Sequence, residues 1–423
     1  MGSRHSSERS EKPSHPILFF FFYMPFGIFT GYLAVTLTYL FSRSGISIQQ
    51  IAGLAAINLL PQIFKFLWAP LVDTTLTLKK WYLISALLTA SAIFTTGIVP
   101  VKVSNLLLFS GMILVCSFAR SFMSAAINGL AAHDIADDQK GRVGGYNQAG
   151  NLGGGAIGGG VGLWLAQHTT LIWIPSASLA LVCILCCAGL FYITEPVSTI
   201  RVKSRLQTAK NVLTDIWQTF KTRRGLQALI LNLLPLGTGA AGFLFAGIAK
   251  DWHAGADTVA LVTGGLGGIA TILGCLIGGW ISDRINKQKA FVLFSLVQAS
   301  CCVAMAFFPH VAVMYIVWTL SYALVNGFVN GAYAAFCLEA SGRGAAASKF
   351  EIYSSAAYLP LYFMFWVSGS SYSKWGASGM LNIEAIAALL AAATFFAIYR
   401  MLNRGKDPKG IKLSQKSATF PAK

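Results

Sequence analysis

Long apolar segments recur along the 423-residue chain, and the charged residues lie in short stretches between them. The apolar core of a bilayer is about 30 Å thick, and a helix of about 20 residues crosses it. Backbone polar groups within that core must be bonded inside helices. The pattern therefore predicts an all-α polytopic membrane protein with twelve transmembrane helices. We number these spans 1 to 12 in chain order: 17–41, 48–70, 81–100, 105–131, 144–166, 171–193, 226–249, 257–281, 290–308, 311–338, 349–370 and 379–400.

The composition excludes several other classes of protein. Hydrophobic residues make up 55% of the chain and charged residues only 11%, whereas soluble domains are about a quarter charged. A soluble enzyme, a disordered chain and a secreted disulfide scaffold are therefore excluded. The 8 cysteines lie within spans or at their ends, and the sequence has no G-x-x-x-x-G-K-S/T phosphate-binding motif. We expect no metal, no cofactor and no ATP-driven step.

The basic residues indicate an orientation. Of the 32 Lys and Arg, 26 fall in the termini and the even-numbered loops, four fall in the odd-numbered loops, and Lys65 and Arg120 lie within spans. Loops rich in Lys and Arg stay in the cytoplasm. We expect both termini inside a bacterial inner membrane. This topology signal accounts for the net charge of +17 without nucleic-acid binding.

A polar stretch at 194–225 divides the spans into six and six. Its amphipathic run, Leu206–Phe220, is typical of a helix lying on the inner membrane surface. The predicted parts are a cytoplasmic N-terminal tail (1–16), an N-terminal six-helix bundle (17–193), a cytoplasmic linker (194–225), a C-terminal six-helix bundle (226–400) and a basic cytoplasmic tail (401–423).

One loop pattern occurs in both halves. Span 8 ends with Gly279 four residues before Asp283, followed by Arg284, and span 2 ends with Ala69 four residues before Asp73. A small residue lets two helices approach, and an Asp at a helix end can accept bonds from a neighbouring helix N-terminus or pair with loop cations. We expect Asp73, Gly279, Asp283 and Arg284 to form conformational latches.

These two loops resemble the signature of the major facilitator superfamily, G-x-x-x-D-R followed by basic residues. The second copy matches well, whereas the first has Ala69 for Gly and Thr74 for Arg, so we expect the first latch to be weaker. The resemblance implies two six-helix bundles around a midplane cavity, related by a pseudo-two-fold axis.

A more specific resemblance lies in the run K-F-L-W-A-P-L-V-D at 65–73. It resembles the K-F-L-W-A/S-P-L-x-D run of the peptide/acetyl-coenzyme A/drug transporter family, which includes AmpG muropeptide permeases, acetyl-coenzyme A transporters and RhtX/FptX siderophore permeases. The segment at 137–142 and the glycine-rich span 5 also resemble that family. Typical AmpG proteins have two additional C-terminal spans, so the sequence favours the shorter siderophore branch.

Two cations lie within spans. Arg120 falls near the middle of span 4, where an unpartnered guanidinium costs roughly 2.5–3.5 kcal/mol. It can bind an anionic substrate group through two parallel bonds or anchor backbone carbonyls or an acid. Lys65 can bind substrate or extend its ammonium to the membrane surface.

Few acids lie near the apolar belt. Glu351 in span 11 and Asp134 after span 4 are the candidates for proton coupling. Glu339 is better suited to pairing with Arg343 or Lys349. Glu384 in span 12 is a weaker candidate because that helix is peripheral in the superfamily.

The spans that line the cavity in the superfamily also supply uncharged polar side chains here. They contact substrate or form hydrogen bonds between helices, and we expect about half to reach the cavity. The aromatic run at 19–23 is expected to face lipid. The candidate substrate-binding residues, besides Arg120 and Lys65, are Asn128, Gln148, Asn151, Asn232, Tyr322, Asn326 and Asn330.

The function expected from the sequence is secondary active transport by alternating access, driven by protons. The substrate is a bulky polar or anionic solute imported as a small molecule, with a siderophore as the leading hypothesis and a muropeptide or acetyl-coenzyme A-type conjugate as the alternative. A non-transporting membrane receptor or signalling subunit is the other class considered. We expect a monomer whose partners are its solute, protons and the lipid bilayer.

Overall fold

The computed structural model describes residues 14–46, 48–171, 173–195 and 205–403, and these form helices and connecting turns without a strand. Residues 1–13 and 404–423, which belong to the predicted tails, and residues 196–204 of the predicted linker lie outside the described residues. The α-helices are Leu18–Gly31, Thr38–Arg43, Ile48–Ile63, Ala69–Thr74, Leu78–Ile98, Leu106–Asp134, Lys140–Ala156, Gly162–His168, Ile174–Cys186, Arg205–Lys221, Arg223–Leu233, Ala240–Ile248, Ala256–Val259, Gly267–Ser282, Lys287–Phe307, Ala312–Ser341 and Ala346–Asn403.

Eight helices in the described part of the chain are long and apolar enough to cross a membrane. The last of them, Ala346–Met401, contains spans 11 and 12 and bends at Gly376, which has a φ of 66°. Spans 2, 5 and 7 are not among these eight helices, because each is interrupted or rich in glycine. The prediction of an all-α polytopic membrane protein is confirmed, while the crossing of spans 2, 5 and 7 stays a prediction.

Spans 2 and 7 are broken, although the sequence pattern predicts continuous helices there. Span 2 leaves its α-helix after Ile63, makes a 3₁₀ turn at Lys65–Leu67, and resumes at Ala69–Thr74 with Pro70 in the first turn. Proline lacks the N–H that a helix interior needs and fits the first turn. In span 7, Leu234 is extended before a proline, as expected from the steric restriction that proline imposes. Two glycines with positive φ, Gly237 and Gly239, complete that break.

Glycines of span 5 determine how closely the helices pack. A methyl group on Gly158 would overlap the carbonyl of Ile28 in span 1, and one on Gly145 would overlap the carbonyl of Cys275 in span 8. Span 5 therefore packs tightly against its own half through one part of its length and against the other half through its first turns.

The linker helix Arg205–Lys221 lies against the end of the bundles where spans 2 and 11 meet. The Asp215 carboxylate accepts the backbone N–H of Ala345 at 2.8 Å and lies 3.0 Å from the Lys349 ammonium. On its apolar face Val212 is buried, whereas Leu213 and Trp217 are exposed. The expected position on the membrane surface stays a prediction.

Candidate functional site

A cavity of about 250 Å³ lies between the two halves. Five of the predicted substrate-binding residues line it: Lys65, Gln148, Asn151, Asn232 and Asn330. The aromatic side chains of Phe26, Phe291, Tyr333 and Tyr358 complete much of the wall. Polar and apolar groups contribute about equally to the lining, which is more polar than a usual small-molecule pocket and suits a polar solute.

An ion pair between the halves closes one side of the cavity. The ammonium of Lys65 lies 2.5 Å from Oε2 of Glu351 and donates a hydrogen bond of 2.7 Å to Oγ of Ser354. Lys65 is 4% exposed and Glu351 is fully buried. Because charges are costly to bury singly, each of these two groups stabilises the other's charged form.

The break in span 2 places Lys65 at this point. Its backbone lies in the 3₁₀ turn between the two helical pieces. The neighbouring Trp68 fixes the turn: its indole N–H donates to Ser121 at 2.7 Å, and its ring packs on Phe118. The K-F-L-W-A-P run therefore encodes a helix interruption that directs a lysine into the cavity.

The other oxygen of Glu351 is held by span 4. Oε1 accepts hydrogen bonds from the Ser124 hydroxyl at 2.7 Å and from the Asn128 amide at 3.3 Å. The Tyr23 hydroxyl contacts both donors at 3.1 Å. Asn128 is buried behind the cavity wall, so its contact is with Glu351.

Arg120 lies one helical turn from Ser124 and does not line the cavity. Its guanidinium donates to the side-chain amide oxygen Oδ1 of Asn58 at 3.0 Å and to the Thr30 hydroxyl at 2.5 Å. It also stacks over Phe26, 4.1 Å from the ring centroid. Because Phe26 lines the cavity, Arg120 is separated from it by one aromatic ring, and its predicted contact with substrate stays a prediction.

The remaining predicted residues lie away from the cavity. Asn326 accepts a hydrogen bond of 3.0 Å from Gln298, and the Tyr322 hydroxyl is 3.5 Å from Glu384. Asp134 ends the helix of span 4 beyond the Glu351 network. Glu339 lies 4.0 Å from the ammonium of the loop residue Lys287, whereas Lys349 pairs with Asp215. Their predicted roles in binding or coupling are not tested by this placement.

Both predicted latch carboxylates contact the start of a helix in the other half. Asp73, at the end of span 2, accepts the backbone N–H of Ser348 at 2.9 Å and its hydroxyl at 2.5 Å. Ser348 lies in the first turn of the helix that begins at Ala346. The partial positive charge of a helix N-terminus favours this position for a carboxylate.

Asp283 makes the corresponding contact at the start of span 5. Its carboxylate accepts the backbone N–H groups of Gly141 and Arg142 at 2.6 and 2.9 Å. Burial raises the pKa of Asp283, and these two donors lower it. Gly279 packs directly against the backbone of Gly141 and Gly145 in the other half, whereas Arg284 stacks on Trp280 at 3.3 Å from the ring centroid.

Sequence reasoning missed two parts of the site. The aromatic run at 19–23 is not uniformly lipid-facing, because Phe19 and Phe22 are buried and Tyr23 reaches the cavity. Because span 1 lines the cavity in the superfamily, the place of Tyr23 in span 1 could have identified it as a cavity residue. The serines Ser124 and Ser354 carry no sequence signal of their own, since serine is common in membrane helices.

The fold and the cavity define a helical membrane protein built from two packed halves. A family model described as Major Facilitator Superfamily matches residues 17–362, and the chain belongs to this superfamily. The proteins that it is similar to are permeases and proton symporters.

Solved structures agree with this assignment of the fold. The E. coli fucose:proton symporter FucP superposes with a TM-score of 0.66 at 13% identity, covering 90% of this chain and 97% of that one. The proton:xylose symporter XylE, bound to 6-bromo-6-deoxy-D-glucose, gives 0.68 at 13% identity, with 90% and 94% covered. FucP in the outward conformation gives 0.64 at 14% identity, with 90% and 97% covered.

Among curated proteins the chain is similar to anhydromuropeptide permeases. Those of E. coli strain K12 and E. coli O157:H7 are each 26% identical over 253 residues, which is 56% of this chain and 49% of the relative. The chain thus covers about half the length of these relatives. The resemblance to the AmpG group is confirmed.

Proposed function

We propose that this protein imports a polar solute bearing an anionic group together with a proton, and that Lys65 and Glu351 perform the coupling. The observation that carries this proposal is the buried ion pair at the cavity wall, with Lys65 in one half and Glu351 in the other. The protein then works by alternating access, as two rocking halves formed by 17–193 and 226–400.

The charge balance of the site explains how two ligands can be coupled. A site of low dielectric constant tolerates one positive and one negative charge much better than one unpaired charge. When Glu351 takes up a proton, Lys65 loses its anionic partner and can bind the anionic group of a solute. Solute and proton therefore load together and leave together, and the site stays neutral in both states.

The cavity lining supports a solute with amide or hydroxyl groups beside its anionic group. Gln148, Asn151, Asn232 and Asn330 offer both donors and acceptors, and Tyr333 and Tyr358 offer flat apolar surface. The similarity to anhydromuropeptide permeases favours a muropeptide-type conjugate over the siderophore that was the leading hypothesis from the sequence. A cavity of about 250 Å³ is smaller than most drug-sized sites, so a bulky solute requires the halves to separate.

Uptake by proteoliposomes or right-side-out vesicles tests the proposal. Labelled anhydromuropeptide, a ferric siderophore and acetyl-coenzyme A are compared with an acidic exterior, without a gradient, and with a protonophore. We expect the acidic exterior to stimulate anhydromuropeptide uptake and the protonophore to abolish the stimulation. Siderophore uptake alone would restore the hypothesis from the sequence. Uptake that is indifferent to the pH gradient would contradict proton coupling, and binding without uptake would favour a receptor.

A further inference from the structure

A second buried carboxylate lies in the C-terminal half, away from Lys65 and Glu351. Glu384 of span 12 is 7% exposed. Its oxygens lie 3.2 Å from the Ser368 hydroxyl and 3.5 Å from the hydroxyls of Thr238 and Tyr322. The backbone N–H of Ala241 also faces it. Partners from three separate segments, spans 7, 10 and 11, therefore converge on one carboxylate.

This carboxylate has only neutral partners. Among the ion pairs between described residues, none includes Glu384. The titratable groups that face it are Tyr322 from span 10 and Cys302 from span 9, and neither supplies a positive charge. The hydroxyl contacts are longer than the usual ~2.7–2.8 Å of O–H···O bonds. The nearest favourable charge is the partial one at the N-terminus of helix Ala240–Ile248.

The contacts connect Glu384 to the cavity. Thr238 lines the cavity, and so does Gly237 beside it. Gly237 and Gly239, on either side of Thr238, both have positive φ, a conformation that glycine adopts without strain. The carboxylate therefore holds the one stretch of span 7 that is not helical and that forms part of the cavity wall.

We propose that Glu384 is a second proton-binding site, which holds the break in span 7 when it is ionised and loosens it when it is protonated. An ionised carboxylate accepts bonds from all four donors, whereas a protonated one loses acceptor capacity and becomes a donor itself. Buried acids within membrane helices commonly serve in proton relays. The inference does not require Glu351 to be the coupling residue, so the two can fail separately.

Infrared titration of the purified full-length protein tests proton binding. Both Glu351→Gln and the double variant Glu351→Gln/Glu384→Gln are titrated, so that Glu351 contributes to neither spectrum. We expect the spectrum of the single variant minus that of the double variant to contain a carboxylic-acid carbonyl band that grows on acidification, since the other acids are common to both proteins and cancel. Identical spectra across the pH range in which both proteins stay folded would overturn the proposal.

The conservative variant Tyr322→Phe tests whether the band belongs to Glu384. A purely structural role for Glu384 would leave the pH midpoint of that band unchanged. Tyr322→Phe removes one hydroxyl donor but keeps the carboxyl group, so the band's midpoint is expected to rise by about one pH unit in the Glu351→Gln background. An unchanged midpoint would overturn the assignment of the band to Glu384. This variant also serves if Glu384→Gln fails to fold.

Hydrogen exchange tests the connection to span 7. Glu384→Gln is expected to speed exchange of the amides at 240–244 about tenfold, because a bond to a charged acceptor is lost. The exposed loop variant Asp138→Asn serves as the matched control and should leave these amides unchanged. Equal exchange in wild type and Glu384→Gln would overturn the link between the carboxylate and the break.

Discussion

The two buried glutamates of the C-terminal half differ in what neutralises them and in where their partners lie. Glu351 is paired with a cation, and that cation comes from the other half of the molecule. Glu384 is surrounded by neutral donors, and all of them belong to its own half. Separation of the halves would break the first set of contacts and leave the second intact. Only Glu351 can therefore sense directly whether the halves are closed around it.

The largest expected effect comes from removing the cation of the pair. Lys65→Met leaves Glu351 as a buried charge without its partner, and we expect it to reduce the free energy of unfolding by about 3–5 kcal/mol. Thermal unfolding of the purified variant measures this loss.

The double variant provides the control for that prediction. Lys65→Met/Glu351→Gln removes both charges, so it should be more stable than Lys65→Met alone, since the penalty arises from the unpaired carboxylate. A double variant that is no more stable than the single one would show that the pair is not electrostatically coupled, and the contrast with Glu384 would fail.

The next effect is expected at Arg120, which has polar and aromatic partners but no carboxylate among the described ion pairs. Arg120→Gln should lower stability by about 1–3 kcal/mol, because Asn58 and Thr30 lose their donor and Phe26 loses its cation. Arg120→Lys should restore part of the loss, and the exposed Arg43→Gln should cost little. Normal stability together with weakened solute binding in Arg120→Gln would instead favour the predicted substrate contact.

Much of this contrast lies beyond what sequence patterns can reveal. The apolar runs, the charge bias and the loop repeat predict the fold class, and the position of Lys65 within a span marks it as a candidate. The breaks in spans 2 and 7 are harder to foresee, because average hydropathy does not register where proline and glycine interrupt a helix. The role of Glu384 depends on such a break: it brings the N–H of Ala241 and the hydroxyl of Thr238 to an acid on a helix expected to be peripheral.

An effect of similar size is expected from filling the contact between the halves. Gly141→Ala places a methyl group against the carbonyl of Gly279 and the carboxylate of Asp283. Overpacking of this kind costs about 1–3 kcal/mol, so the latch should open more often. Labelling of a reporter, Ala347→Cys, should then be about tenfold faster. Gly160→Ala is the matched control, since open space surrounds that position. Equal labelling in both backgrounds would contradict the latch.

The smallest effect on stability is expected at Glu384 itself. Glu384→Gln leaves no cation unpaired and keeps one acceptor oxygen, so we expect a loss of about 1 kcal/mol or less. Thermal unfolding of Glu384→Gln and Lys65→Met under the same conditions compares their losses in the free energy of unfolding. Equal destabilisation by the two variants would remove the distinction between the two carboxylates.

Transport by Glu351→Gln tests the coupling of solute and proton most directly. In proteoliposomes, exchange of labelled for unlabelled solute is compared with accumulation driven by a pH gradient. The charge balance at Lys65 predicts that Glu351→Gln, which mimics the protonated state, keeps exchange close to the wild-type rate and loses gradient-driven accumulation. Glu339→Gln, a half-exposed acid outside the cavity, should keep both. Wild-type accumulation by Glu351→Gln would contradict the assignment of Glu351 as the coupling residue.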